Sequence, residues 1–396
     1  MKFKEELITL IAKKSKISKE NIENAISTPP DPKLGDFAFP CFMLAKEWKT
    51  PPNEAAKKLK KCLEVPDFIE KVEVAGPYLN FFIDKTVLAK EVLSEIQLQK
   101  ENYGESNKKN GKTILIDFSA PNIAKPFGIG HLRSTIIGNC LYKVYSKLGY
   151  KVVGINHLGD WGTQFGKMIV AYRKWGNESE LEKDPINYLL SLYVKFHKEA
   201  ETDDSLNDEG RAAFKSLEEG NKEALKLWKH FRDLSLNEFQ RIYELLQVKF
   251  DSDHGEAFFN NKTQAAIEKL QEKVETKISE GALIVDLEEY NMPPVILRKS
   301  DGSTMYHTRD IAAVYYRMQE YNPNKILYVV GTPQKMHFKQ LFKTMELYGV
   351  SRAIFEHVNF GLIKLPTGKM STRKGTLILL DEVLNKAIEK VKTIIE

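Results

Sequence analysis

Apolar positions recur along the chain with two periods. Leu7, Ile8, Ile11 and Ala12 fall on one face of a helix near the N-terminus. Pro51-Pro52-Asn53-Glu54 opens another helix, with Asn53 as its candidate cap. Residues 72–74 and 78–83 predict two strands around Ala75-Gly76-Pro77. In the second strand Tyr78, Asn80 and Phe82 share one face, and Leu79, Phe81 and Ile83 the other. Beyond a polar stretch at 101–112, Thr113-Ile114-Leu115-Ile116 predicts a buried strand. Leu132, Ile136, Ile137, Leu141, Val144 and Leu148 then follow at helical spacing. A further strand over 151–155 leads to Leu158-Gly159-Asp160-Trp161-Gly162, where Asp160 is a plausible helix cap. Residues 171–290 are mostly helical, charged and poor in strand signal. Strand signals return at 295–298, 326–330 and 354–360, with a helix through Ile311, Val314 and Tyr315.

Alternation of strand and helix predicts an α/β fold with a parallel, doubly wound sheet. The expected organisation is a small α+β domain over 1–110, a first half of the nucleotide-binding fold over 111–170, and a mostly helical insertion over 171–290. A second half over 291–362 and a loop leading into a helix over 363–396 complete it. In this scheme 295–298 is the first strand of the second half. Asp301-Gly302 then marks a hairpin turn.

Composition narrows the function without naming it. Hydrophobic residues make up 42% of the 396, enough for a folded protein rather than a disordered one. The net charge of +5 permits a nucleic-acid partner but does not demand one. Three cysteines, Cys41, Cys62 and Cys140, form no metal or disulfide pattern, which suits a cytoplasmic location. No apolar run is long enough for a membrane helix, so no membrane partner is expected. Lys57-Lys58-Leu59-Lys60-Lys61 has the composition of a solvated helix face. Lys249 to Glu256 is acidic but lacks the ligand spacing of a calcium loop.

The most informative stretch is Asp117-Phe118-Ser119-Ala120-Pro121-Asn122-Ile123-Ala124-Lys125-Pro126-Phe127-Gly128-Ile129-Gly130-His131-Leu132-Arg133-Ser134-Thr135. It joins a strand to a helix that should start near His131. Such a start directs free backbone N–H groups and the positive dipole end into the loop, a ready phosphate site. Arg133 excludes a dinucleotide finger, and no Gly-Lys-Ser/Thr follows for a Walker loop. Without further context an ordinary strand-to-helix connection is an equal reading.

The string resembles the HIGH signature of class I aminoacyl-tRNA synthetases, and at its full length that of arginyl-tRNA synthetases. HLGDWGTQFG at 157–166, GDFAFP at 35–40, AGPYLNF at 75–81 and Lys369-Met370-Ser371-Thr372-Arg373-Lys374-Gly375 resemble the same family. The resemblance implies a Rossmann-like catalytic domain and activation of L-arginine with ATP. Transfer to tRNA(Arg) follows, with Mg2+ accompanying ATP. It assigns chemistry to Lys125, His131, Lys369, Ser371 and Lys374, and ATP contacts to Phe127, Gly128, Gly130, His131, Lys369 and Met370. Arginine contacts fall to Asp117, Ser119, Asn122, Tyr306, Asp310 and Gln340. A carboxylate suits a guanidinium because the pair is planar and bidentate. Tyr78, Asn80 and Phe82 are either core or a surface for exposed tRNA bases, the family favouring the latter. No dedicated metal ligands are expected, and a monomer is.

Three departures stand out. Gly128 occupies the position of the family's first HIGH histidine, and a positive φ there is one explanation. Thr372 stands where KMSKS has its second lysine, a change for which Lys125 would compensate. The family continues into a helical anticodon-binding domain, expected to be lacking in this chain. Two other readings compete: a small-molecule adenylating enzyme of the same superfamily, and a non-catalytic tRNA-binding paralogue. The first would not need residues 1–110 or the Asp310 and Tyr306 pair, and the second is opposed by intact Lys125, His131, Lys369 and Asp310.

Overall fold

The structure, a computed structural model, describes residues 2–106, 111–363 and 380–395. It divides into two units, Met1–Gly104 and Glu105–Glu396. The first unit runs α1 (Lys2–Lys14), α2 (Lys19–Ala25), β1 (Phe37–Pro40), α3 (Phe42–Trp48) and α4 (Pro52–Cys62). β2 (Ile69–Ala75), β3 (Tyr78–Ile83) and α5 (Lys85–Gln99) follow. Its sheet is antiparallel in the order β1-β3-β2. Leu79, Phe81 and Ile83 on the central strand are buried with Leu7, Ile11 and Leu59, so the period-2 pattern of β3 and the helical faces of α1 and α4 meet in one core. Asn53 is not a cap. Pro51 precedes the first turn of α4, and no side chain bonds it.

The second unit begins with β4 (Thr113–Asp117), α6 (Ile129–Lys147), β5 (Lys151–Ile155) and α7 (Thr163–Trp175). A helical stretch follows: α8 (Glu178–Lys183), α9 (Pro185–Glu199), α10 (Ser205–Glu218), α11 (Lys222–Leu245), α12 (Glu256–Asn260) and α13 (Thr263–Gln271). Then come β6 (Lys277–Ser279), β7 (Ala282–Val285), β8 (Val295–Arg298), α14 (Tyr306–Glu320), β9 (Lys325–Gly331), α15 (Lys335–Tyr348), β10 (Ile354–Phe360) and α16 (Leu380–Ile395). Four strands form the expected parallel sheet in the order β10-β9-β4-β5. Every residue of β4 is buried, as expected for a central parallel strand covered on both faces. Ile114 and Ile116 pack with α7, α9 and α11 residues such as Ile169, Leu189 and Phe239. Leu115 packs with the other core, which includes Ile267, Ile311 and Leu341. The chain leaves β4 toward β5 on one side and returns to β9 on the other, so the topological switch lies between β4 and β9.

One expectation fails here, and another, borne out as mostly helical, gains two short strands. Val295–Arg298 belongs to a separate antiparallel sheet, β6-β7-β8, and not to the parallel one. The 171–290 stretch also contains two strands. The β6–β7 hairpin turns on Glu280 and Gly281, both with positive φ, the geometry of a tight primed turn. Every residue of β6 is exposed, so it carries no apolar alternation to detect.

Helix α6 lies so close to the β4 end that a Cβ at Gly138 would sit 2.2 Å from the Phe118 ring. Gly138→Ala should therefore destabilise the unit by about 1–3 kcal/mol through overpacking, despite alanine's helix preference of about 1 kcal/mol. A urea unfolding midpoint at or above that of the parent chain would contradict this packing.

Candidate functional site

Gly128 is the N-cap of α6, and its φ of −87° is ordinary extended backbone. A positive φ therefore does not explain the glycine. Its N–H donates to His131 Nδ1 at 3.2 Å. Nδ1 is thus an acceptor, and the neutral imidazole carries its proton on Nε2. Burial, aided by the Lys125 ammonium, pushes the His131 pKa down to about 4. The histidine is a neutral donor at physiological pH, on the helix end where backbone N–H groups are free. Lys125 Nζ donates to Gln164 Oε1 at 2.7 Å and lies over the Tyr193 ring. Nothing lies within 4 Å of a Cβ built on Gly130, so the backbone there is open to a ligand. Phe127 is different: its ring is buried against Phe239, Tyr243 and His131, so it supports the loop from beneath.

A cleft of about 540 Å³ opens beyond the carboxyl ends of β4 and β9, where open α/β sheets bind ligands. Asp117, Asn122, His157, Glu256, Tyr306, Arg309, Asp310, Gln334 and His337 line it. Asp310, on α14, is the hub. His337 Nε2 approaches its Oδ2 at 2.8 Å and His157 Nε2 its Oδ1 at 4.0 Å. Burial raises the Asp310 pKa, but His337, His157 and Arg317 outweigh that and hold the carboxyl below the usual range. The hub is therefore an anion in a partly dry site, where its field is strongest. Glu256 stands 3.8 Å from Arg309, and burial moves its pKa up. Half-exposed Tyr306 closes one wall, its ring 5.2 Å from that of His337.

The remaining expected arginine contacts divide. Asn122 reaches the cleft. Asp117 reaches it too, but its Oδ2 is 2.8 Å from Arg317 and both side chains are buried. Ser119 does not line the cleft. It is buried, and its hydroxyl bonds the Tyr243 and Thr135 hydroxyls. Gln340 is also buried, its amide donating to the Pro293 and Pro294 carbonyls, so Gln334 stands in the cleft instead. Asp160 does not cap α7, whose N-cap is Gly162. Nearly inaccessible, it accepts from Ala257 N–H at 2.8 Å and Arg232 Nε at 3.1 Å, joining α11 to α12. The Phe250–Glu256 segment is structural at Asp251, which accepts from Gly154 N–H at 2.7 Å. Glu256, by contrast, reaches the cleft. His157, Glu256, Arg309 and His337 were missed; the signal available was that His157 lies two residues past the end of β5 and His337 lies in the first turn of α15, which follows β9.

In the first unit Tyr78 is exposed and meets Phe42 edge to face, while Phe82 is partly buried beneath Lys71 Nζ at 4.1 Å from its ring. Asn80 is buried, so of the two alternatives for this face it falls in the core, and the face is only partly exposed. Asn80 Oδ1 has no hydrogen-bond partner among the described residues. Lys369, Met370, Ser371 and Lys374 lie outside the described residues.

Three positions in the 119–124 loop are non-glycine residues with left-handed backbone: Ser119 (φ 72°), Ala120 (φ 48°) and Ala124 (φ 56°). Each such residue costs on the order of 1–3 kcal/mol and persists only where its surroundings enforce it.

The folded chain binds the His131 proton near pH 4 and an unperturbed histidine near 6.5. Between those values the unfolded state holds more protons, so this group's contribution to stability falls as pH falls. His131→Gln should shrink the loss of stability between about pH 7 and about pH 5, measured by urea midpoints at both. An unchanged loss would mean that His131 titrates normally.

Residues 92–396 match the family described as tRNA synthetases class I (R), catalytic domain, and residues 1–83 match the arginyl tRNA synthetase N terminal domain. The arginine–tRNA ligase of Clostridium beijerinckii is 52% identical over all of this chain and 70% of its own length. That of Clostridium botulinum (Langeland strain) is 50% identical with the same coverage. Among solved structures, arginyl-tRNA synthetase from Plasmodium falciparum aligns with a TM-score of 0.69 at 23% identity, over 99% of this chain and 68% of that one. The Thermus thermophilus enzyme aligns at 0.67 and 21%, over 94% and 67%.

Proposed function

The chain belongs to the class I arginyl-tRNA synthetases and has their arginine–tRNA ligase activity, and from that premise we propose how its residues divide the reaction. ATP, arginine and tRNA(Arg) are its substrates. The arginine carboxylate attacks the α-phosphorus of ATP and pyrophosphate leaves. A hydroxyl of the terminal adenosine of the tRNA then attacks the carbonyl and AMP leaves.

The carrying observation is Asp310, an anion oriented by His337 within the cleft. It takes the arginine guanidinium, with Tyr306 along the side chain. Asp117 is already neutralised by Arg317, so it is left to orient the substrate's α-ammonium beside Asn122. ATP lies on the α6 start, where the Gly130 backbone and the Nε2–H of His131 face its phosphates. Lys125 supplies a cation to the α-phosphate as charge grows there, and Lys369, Ser371 and Lys374 act on the phosphates from the second motif. Catalysis needs donors and cations rather than a nucleophile, because alignment and charge stabilisation do the work. Mg2+ enters on the ATP phosphates. Tyr78 and Phe82 contact tRNA bases, with Asn80 between them. Exposed thiols at Cys62 and Cys140 support a cytoplasmic location. No described helix is long and apolar enough to cross a membrane.

Asp310→Asn should raise the arginine KM by at least about thirtyfold, the effect of losing a buried charge pair, and leave the ATP KM nearly unchanged. Pyrophosphate exchange at graded arginine concentrations checks it, and an unaltered arginine KM removes the assignment. Lys125→Ala should slow exchange about a hundredfold. Gly128→His in the same chain should restore part of the rate, since the φ at 128 accepts any residue. If Lys125→Ala leaves the rate within about threefold of the parent, backbone amides rather than Lys125 carry the phosphate charge.

A further inference from the structure

Helix α11 belongs to the insertion, yet it touches the substrate loop at two of its three strained residues, Ser119 and Ala124. Ser235 Oγ accepts from the Ala124 N–H at 2.8 Å and lies 2.6 Å from the Phe231 carbonyl, to which it donates. Two turns further along, Tyr243 OH lies 2.8 Å from Ser119 Oγ and 3.1 Å from Asn156 Nδ2. Positions 235, 239 and 243 share one helix face, and Phe239 and Tyr243 both meet the Phe127 ring edge-on, at 5.8 and 5.7 Å. All three α11 side chains are buried.

The polar groups form one directed chain. Asn156 Oδ1 accepts from Ala120 N–H at 3.2 Å, and its amide Nδ2 donates to Tyr243. Thr135 Oγ1 lies 2.8 Å from both Ser119 Oγ and the His131 carbonyl. A carbonyl only accepts, and each hydroxyl has one proton. Every group is satisfied when protons run from Asn156 through Tyr243, Ser119 and Thr135 to the His131 carbonyl. Burial moves the Tyr243 pKa upward, which keeps the phenol protonated for that role.

We propose that α11 is the template that holds loop 119–127 in its binding conformation, with Tyr243 and Ser235 as positioning residues for arginine and ATP respectively. Tyr243 fixes the left-handed turn at Ser119–Ala120 that aims Asn122 into the cleft. Ser235 fixes left-handed Ala124, which orients Lys125. Helix α11 thereby sets the affinity of the site without lining the cleft itself. This rests on the reading of the loop as the arginine and ATP loop.

Pyrophosphate exchange by the full chain tests it, with urea unfolding on each variant. Tyr243→Phe keeps the ring and removes the hydroxyl. It should raise the arginine KM about tenfold and leave the ATP KM within about twofold. Ser235→Ala should lower kcat/KM for ATP about tenfold with little change in the arginine KM. Adding Ala124→Gly to Ser235→Ala should recover most of that loss, because glycine adopts a positive φ without strain. A purely structural role for Ser235 would not be rescued at position 124. Two results overturn the proposal: hydroxyl deletions that alter only the urea midpoint, or an Ser235→Ala defect that Ala124→Gly does not relieve. Asn122→Ala separates the underlying reading. If it leaves the arginine KM unchanged, the loop does not bind arginine and both ideas fall. If it raises that KM while Tyr243→Phe does not, only the template fails.

Discussion

The buried pair between Asp117 and Arg317 is the interaction on which the catalytic unit depends. Asp117 ends the central strand, and Arg317 comes from α14, 200 positions away by their numbers. Burial alone would lower the Arg317 pKa, yet the Asp117 charge and hydrogen bond leave it raised. Removing one partner of such a pair strands a charge and costs about 3–5 kcal/mol. The pair also fixes the rotation of α14. Asp310 lies seven residues before Arg317, two turns along the same face, so anchoring one aims the other into the cleft. Arg317 reaches the Nδ1 of His157 at 3.4 Å as well, which leaves His157 Nε2 turned toward Asp310. One ion pair thus sets the position of the cleft's central carboxylate and of one of its flanking imidazoles.

The cleft and the start of α6 then differ in electrostatic design. The cleft concentrates carboxylates, Asp310 and Glu256, each beside a cationic or imidazole partner. Those partners keep the acids placed while leaving room for an entering cation. The start of α6 is built oppositely, from backbone N–H groups, a neutral histidine and a lysine. Neutrality at His131 follows first from burial, and the Lys125 ammonium adds to it, since a second full cation in a partly buried loop would repel the first.

Strain links these sites to the helical insertion. Three left-handed, non-glycine residues fall within six positions of the loop, and the groups that hold them come from β5's end, α6 and α11. Binding loops gain from such enforcement, since a loop already in its bound shape loses less entropy on binding. The insertion is therefore part of the architecture of the site, although none of its α11 side chains lines the cleft.

How far the chain's own pattern reached can be judged from particular elements. The β4 strand, the glycine-containing loop after it, α6 and the alternation of strands and helices were legible, because a continuous apolar run, two glycines and a helical period are local signals. Asp310, Tyr306, Asn122 and His131 were legible by motif, and the cleft or the α6 start receives each of them. The β6–β7 hairpin and the antiparallel placement of β8 were not, since an exposed three-residue strand has no periodicity and partner choice is decided between strands distant in sequence. Nor could sequence alone separate Asn80, Ser119 and Gln340 from their polar neighbours that reach solvent or ligand. Polarity says that a side chain needs partners, and only the tertiary structure decides whether those partners are protein or substrate. Asp117 marks the boundary most sharply: its place at a strand end is written in the chain, but its neutralisation by Arg317 arises only when α14 folds back against β4.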